Sequence, residues 1–92
     1  MYTIYVKFKC LEGKREAFVE AVKKEGILAA IRSEDGCIRY DYYYSAKDKN
    51  TVFLFEEWES EEKQQIHLTQ PHIAQIKEIK EKYILSTELR KA

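Results

Sequence analysis

The sequence predicts an α+β domain of ferredoxin-like order, βαββαβ, with two helical regions covering one face of an antiparallel sheet. Three observations predict it. Four separated stretches alternate apolar with polar residues, or are rich in β-branched and aromatic side chains, as strands are. Helical spacing fills the first and last gaps between them, and only a short polar loop, residues 47–50, separates the middle two.

Along Tyr2–Cys10, Ile4, Val6, Phe8 and Cys10 share one face and Tyr5, Lys7 and Lys9 the other, the pattern of a half-buried strand. Glu12-Gly13 ends it. From Lys14 the apolar positions Ala17, Phe18, Ala21, Val22, Leu28, Ala29 and Ile31 follow helical spacing, and Gly26 is expected to kink or divide that helix. Asp35-Gly36 signals a turn before a second strand over 37–45, rich in tyrosine. Its alternation sends Ile38, Tyr40, Tyr42 and Tyr44 to one face and Arg39, Asp41 and Tyr43 to the other. A third strand, 51–59, holds Val52, Phe53, Leu54 and Phe55 before Glu56, Glu57 and Trp58, and so short a connection makes the pair a hairpin. Ser60 followed by Glu61 and Glu62 reads as a helix N-cap with acids in the first turn. That helix cannot run through Pro71, but Thr69 or Gln70 can cap a new segment with Pro71 in its first turn, leading into Ile73, Ile76 and Ile79. Residues 83–89 then read as the closing strand. No repeat, low-complexity segment or linker interrupts the chain, so one domain is expected over residues 1–92.

A chain of 92 residues that is 45% hydrophobic and 13% aromatic carries more apolar material than one small layer of helix on sheet can hide. A second copy is the natural cover, so a homodimer is expected. Sixteen basic residues balance sixteen acidic ones, and the one basic pair, Lys23-Lys24, is flanked by Glu20 and Glu25. That is a solvated helix face, not the basic footprint that nucleic acid or an anionic membrane requires. No apolar run approaches the ~18 residues of a membrane span, and the first residues do not read as a secretory signal. Cys10 and Cys37 form neither a disulfide framework nor a CxxC pair, and both fall in apolar strand patterns. The expectation is a cytoplasmic protein with reduced thiols acting as small hydrophobes.

Four residues stand out as candidates for chemistry. Glu56 and Trp58 are two apart and share a strand face with Val52 and Leu54. Glu56 is either a carboxylate pressed against apolar walls, with a raised pKa suited to acid–base work, or an exposed strand-end glutamate beside a core tryptophan. His67 and His72 lie five apart, off a common helical face and without a Cys or Asp at ligand spacing, so no metal is expected, though the Pro71 break could turn them together. One of them acting as a base competes with a plain helix-end role. Tyr40 and Tyr42 read as strand packing, with an inward hydroxyl able to bond a ligand. There is no phosphate loop, GxSxG elbow or nucleotide fingerprint.

Three stretches carry a resemblance: Asp35-Gly36-Cys37-Ile38-Arg39-Tyr40; the strand end Phe55-Glu56-Glu57-Trp58-Glu59-Ser60; and His67-Leu68-Thr69-Gln70-Pro71-His72. With them, over nearly its full length, the chain resembles the antibiotic biosynthesis monooxygenase superfamily, which includes quinol monooxygenases, polyketide-oxidising and haem-degrading enzymes and an isomerase of a phosphorylated autoinducer. The resemblance implies a dimeric α+β barrel built from two face-to-face sheets, with a pocket between sheet and helices in each subunit. It also implies a cofactor-independent monooxygenase acting on a small phenolic or quinol-like aromatic substrate. His67 would be base or anchoring donor, Glu56 and Tyr40 would polarise or orient, and His72, Trp58 and Tyr42 would bind substrate. The haem-degrading branch fits poorly, since Val6, His67 and Lys77 stand where its Asn, Trp and axial His are expected. An isomerase of a small hydroxyketone working by His/Glu proton shuttling and a non-catalytic small-molecule-binding dimer are the alternatives.

Overall fold

In the computed structural model, which describes residues 1–91, β1 (Tyr2–Cys10) lies at the interior of a four-stranded antiparallel sheet. The last residue of the expected domain, Ala92, lies outside the described residues. Around β1 follow α1 (Arg15–Lys23), a 3-10 turn (Lys24–Gly26), α2 (Ile27–Arg32), β2 (Cys37–Tyr44), β3 (Thr51–Trp58), α3 (Glu61–His67), α4 (Pro71–Tyr83) and β4 (Ile84–Lys91). The spatial order β2-β3-β1-β4 is the ferredoxin-like arrangement. The first helical region divides where the glycine predicted it, with Glu25 and Gly26 both at positive φ. Gln70 has the extended backbone that a following proline imposes and leads into α4 with Pro71 in its first turn.

Strand register builds the inner face in rows. Tyr40, Glu56, Ile4 and Lys91 form one row across the four strands, Tyr42, Leu54, Val6 and Leu89 the next, and Tyr44, Val52, Phe8 and Thr87 the third. Against these rows pack Phe18 and Val22 of α1, Ile31 of α2 and Ile76 of α4, all buried. Ile38 departs from the expected face. A bulge between Cys37 and Arg39 sets Cys37 opposite Trp58, so Cys37 takes the inward position and Ile38, the extra residue, is 52% exposed.

Two local devices set the ends of the sheet. The Arg15 guanidinium donates to the carbonyls of Ser45, Asp48 and Thr51 at 3.0, 3.1 and 3.3 Å and lies over the Tyr44 ring, tying α1 to the β2–β3 loop. At the other end Glu34 to Cys37 form a turn closed by the Cys37 N–H on the Glu34 carbonyl, with Gly36 at φ +88°. A Cβ on Gly36 would stand 2.6 Å from Cγ and 2.7 Å from Cβ of Lys63, so the missing side chain is what lets α3 settle onto this turn. Ser60 caps α3 by accepting the Lys63 N–H at 3.2 Å.

Gly36→Ala is therefore expected to destabilise the fold by roughly 1–3 kcal/mol more than Gly13→Ala, the ordinary cost of overpacking. Gly13 also has positive φ but open space around its Cα, so it carries the backbone strain alone. Urea midpoints of the two variants measure the difference, and equal values would mean that the contact with α3 costs nothing.

Candidate active site

The inner face of the sheet and α4 enclose a cavity of about 290 Å³. Its floor is the middle row, Val6, Leu54 and Leu89, and Ile76 of α4 stands in its wall. Tyr40, Glu56 and His67 line it together, so the structure gathers all three sequence candidates for catalysis at one wall.

Glu56 is 6% exposed. The pleat of β3 aims it inward with Leu54 and Trp58, and Trp58 answers by donating its indole Nε1–H to Oε1 at 3.0 Å. Burial pushes the Glu56 carboxyl above its ordinary value, opposed by that hydrogen bond and by the neighbouring His67 and Lys80 side chains. Burial likewise raises the Tyr40 phenol well above its usual range. Tyr40 is therefore a neutral group here, able to hold a ligand but not to serve as a base at neutral pH.

His67, 2% exposed, ends α3. Its Nδ1 lies 2.9 Å from Oε2 and 3.1 Å from Oε1 of Glu34, and His72 Nε2 lies 2.6 Å from the same Oε2. A carboxylate can only accept, so both imidazoles turn an N–H toward it. In a neutral His67 ring this puts the proton on Nδ1 and leaves Nε2 bare. Nε2 has no partner among the described residues, while the ring lines the cavity and packs on Trp58 at 4.7 Å between centroids. Glu34, His67 and His72 present donor atoms within 4.8 Å of one another, so this trio is the one cluster among the described residues that could hold a metal ion. The Pro71 break does bring the two histidines together, through a glutamate that sequence reasoning did not single out.

The other candidates stand apart from the cavity wall. Trp58 is fully buried behind Glu56 and His67, and His72 reaches the site through Glu34. Tyr42 lines a separate groove with Val19, Leu28 and Arg32. Cys10 and Cys37 are both free. Burial raises the two thiols, Cys37 to about 11, so neither is a thiolate at neutral pH. Lys77 and Lys80 of α4, which sequence reasoning did not weigh as ligand-binding, also line the cavity. The only available signal was their i, i+3 spacing on the side of α4 that carries Ile73 and Ile76.

The raised Glu56 carboxyl has a stability consequence with a definite sign. An acid that holds its proton more tightly when folded favours the native state below its unfolded pKa, and that contribution is lost as pH rises through the folded pKa. Glu56→Gln keeps an acceptor for Trp58 and removes the titration. The variant's stability relative to the parent is expected to increase from about pH 4 to about pH 7 in urea unfolding. A constant difference would mean that Glu56 ionises in the folded chain as it does in water.

Comparison with known proteins agrees with this architecture. The family model described as antibiotic biosynthesis monooxygenase matches residues 1–79. A protein from Bacteroides thetaiotaomicron, described as of unknown function with a suggested oxidoreductase role, superposes with a TM-score of 0.85 at 27% identity, over 99% of this chain and 94% of its own. A protein from Nitrosomonas europaea, provisionally assigned as an antibiotic biosynthesis monooxygenase, gives 0.87 at 22% identity over 100% and 96%. One from Chloroflexus aurantiacus, assigned in the same way, gives 0.84 at 21% over 99% and 89%. No curated protein matches the sequence. With the family model covering all but the end of α4 and the last strand, the chain belongs to the antibiotic biosynthesis monooxygenase family.

Proposed function

We propose that this protein is a cofactor-independent monooxygenase that oxidises a small phenolic or quinol-like aromatic with O2. The observation that carries the reading is the hydrogen bond from His67 Nδ1 to Glu34, which leaves Nε2 as a bare base at the wall of an apolar cavity beside Glu56 and Tyr40. Triplet oxygen reacts slowly with closed-shell molecules, but an electron-rich phenolate can pass it one electron. The chemistry asks of the protein a base, orientation and a dry pocket. His67 Nε2 takes the phenol proton, and Glu34 stabilises the imidazolium that results. Transfer of an electron to O2 and recombination at a ring carbon then form the C–O bond. For a hydroquinone the balance closes without a cofactor: one oxygen atom enters the ring, the other leaves as water, and the ring, ending as a hydroxyquinone, supplies all the electrons. Tyr40, un-ionised, would donate a hydrogen bond to a substrate oxygen, and Glu56 lines the same cavity beside it.

His67→Ala is expected to lower oxygen uptake with hydroquinones and anthrone-like phenols by roughly two to four orders of magnitude, the worth of general base catalysis. Glu34→Gln, which loses the charge but keeps an oxygen acceptor, should cost less. Chelation should leave the rate unchanged. Full activity in His67→Ala would remove the assignment, and loss on chelation restored by a divalent ion would recast Glu34, His67 and His72 as metal ligands. A second reading, isomerisation of a hydroxyketone, draws on the same pairing of a base with a carboxyl kept toward its acid form. Product of unchanged mass formed without oxygen would establish it.

The working unit under this proposal is a homodimer. The outer face of the sheet carries Tyr5, Tyr43 and Phe53, each exposed, with Phe55 packed edge-on against Tyr5 at 4.8 Å. Light scattering at micromolar concentration should give twice the 11.0 kDa chain mass, and Phe53→Lys should shift it toward one. The mass of a single chain for the parent protein would exclude the dimer.

A further inference from the structure

A half-buried cation, Lys80, stands in a cavity whose floor is apolar, and among the described residues no acid pairs with it. Lys80 extends from α4 until its Nζ lies 5.1 Å from the centroid of Phe8, a residue that is itself 1% exposed. It is half-buried, where Lys77 is exposed, and it has no carboxylate within ion-pair distance among the described residues. Burial pulls the Lys80 ammonium below its ordinary value, and Glu56 is near enough to be felt there but too far to pair with it. An ammonium removed from water without a counter-charge is costly, and a neutral occupant of the cavity would shield it further.

The strand rows locate this end of the cavity. Phe8 and Thr87 belong to the third row, whereas Glu56 and Tyr40 belong to the first. Four residues of strand separate the rows, about 13 Å along the backbone. Between them lies the floor of Val6, Leu54 and Leu89. The cavity is thus bipolar, with the base and its hydrogen-bonding neighbours at one end, the Lys80 ammonium toward the other and hydrocarbon in between.

We propose that the ligand is an aromatic anion, a flat apolar body bearing an ionised oxygen group, carboxylate or the like, which pairs with Lys80 while its opposite edge faces His67. This assignment deepens the functional reading above and rests on it only for which cavity is used. The pairing itself is a property of binding. An anion at Lys80 restores the counter-charge that the fold leaves out, and a charge-assisted bond in so sheltered a place is among the stronger polar contacts a protein makes.

The test is calorimetric binding of 2-naphthoate and of its neutral isostere 2-naphthamide to the full chain at neutral pH, with Trp58 fluorescence reporting occupancy beside His67. The carboxylate is expected to bind at least about tenfold more tightly than the amide, as befits one hydrogen bond to a charged group. Lys80→Met should erase that preference while leaving amide affinity in place, and Lys80→Arg should retain it. Equal affinities, a preference that survives Lys80→Met, or no binding of either compound up to millimolar concentration would each overturn the proposal. No turnover is measured, so a failed oxygenase assay leaves the anion site standing. A failed preference leaves oxidation of a neutral quinol standing.

Discussion

The pleat of β3 allows Glu56 only one direction. Successive side chains on a strand alternate faces, so a carboxylate placed between Leu54 and Trp58 at even spacing must enter the same space they fill. Much of the cavity follows from accommodating it. The indole N–H of Trp58 is spent on Glu56, which holds the ring against His67. Tyr40 stands directly across from Glu56 on β2, so the row that contains the carboxylate also contains the phenol. A leucine in place of Glu56 would pack more readily, and the wall would then present hydrocarbon to the cavity where it now presents an acid.

The second constraint is how His67 comes to face the same space. α3 and β3 are adjacent in sequence, but the orientation of the imidazole is set by Glu34, 33 residues earlier. Gly36 permits α3 to approach the turn that carries Glu34, Ser60 fixes where the helix starts, and the helix ends on His67 one turn after Lys63. Each step is local and none involves chemistry. Together they place a carboxylate against one nitrogen of an imidazole whose other nitrogen has no partner among the described residues.

How much of this was legible in the sequence differs by the range of the interaction that decides it. The strands were readable because period-two alternation in Tyr2–Cys10 and in Val52, Leu54, Glu56 and Trp58 is a local property, and the Gly26 division and Pro71 break were readable because both act through their own backbone. Ile38 takes the opposite face from the one alternation predicts because a single extra residue in the pairing reverses alternation, and a bulge leaves no mark in β2 taken alone. Glu34 was overlooked because its role exists only once α3 has packed on the turn. Lys80 looks in the sequence like any solvated helix charge, and only its position over Phe8 and the third sheet row sets it apart.

The edge strand β4 contributes two side chains, Thr87 and Leu89, to the cavity, yet nearly every residue of it is exposed and the family model stops before it begins. Replacing either side chain surrenders little buried surface, so it should perturb the fold far less than replacing Leu54 or Ile76 would. One wall of the site is in this sense decoupled from the core that supports it. Descendants of such a chain can drift through many wall shapes at almost constant stability, exploring new ligands while the base and its carboxylate stay fixed on the opposite side.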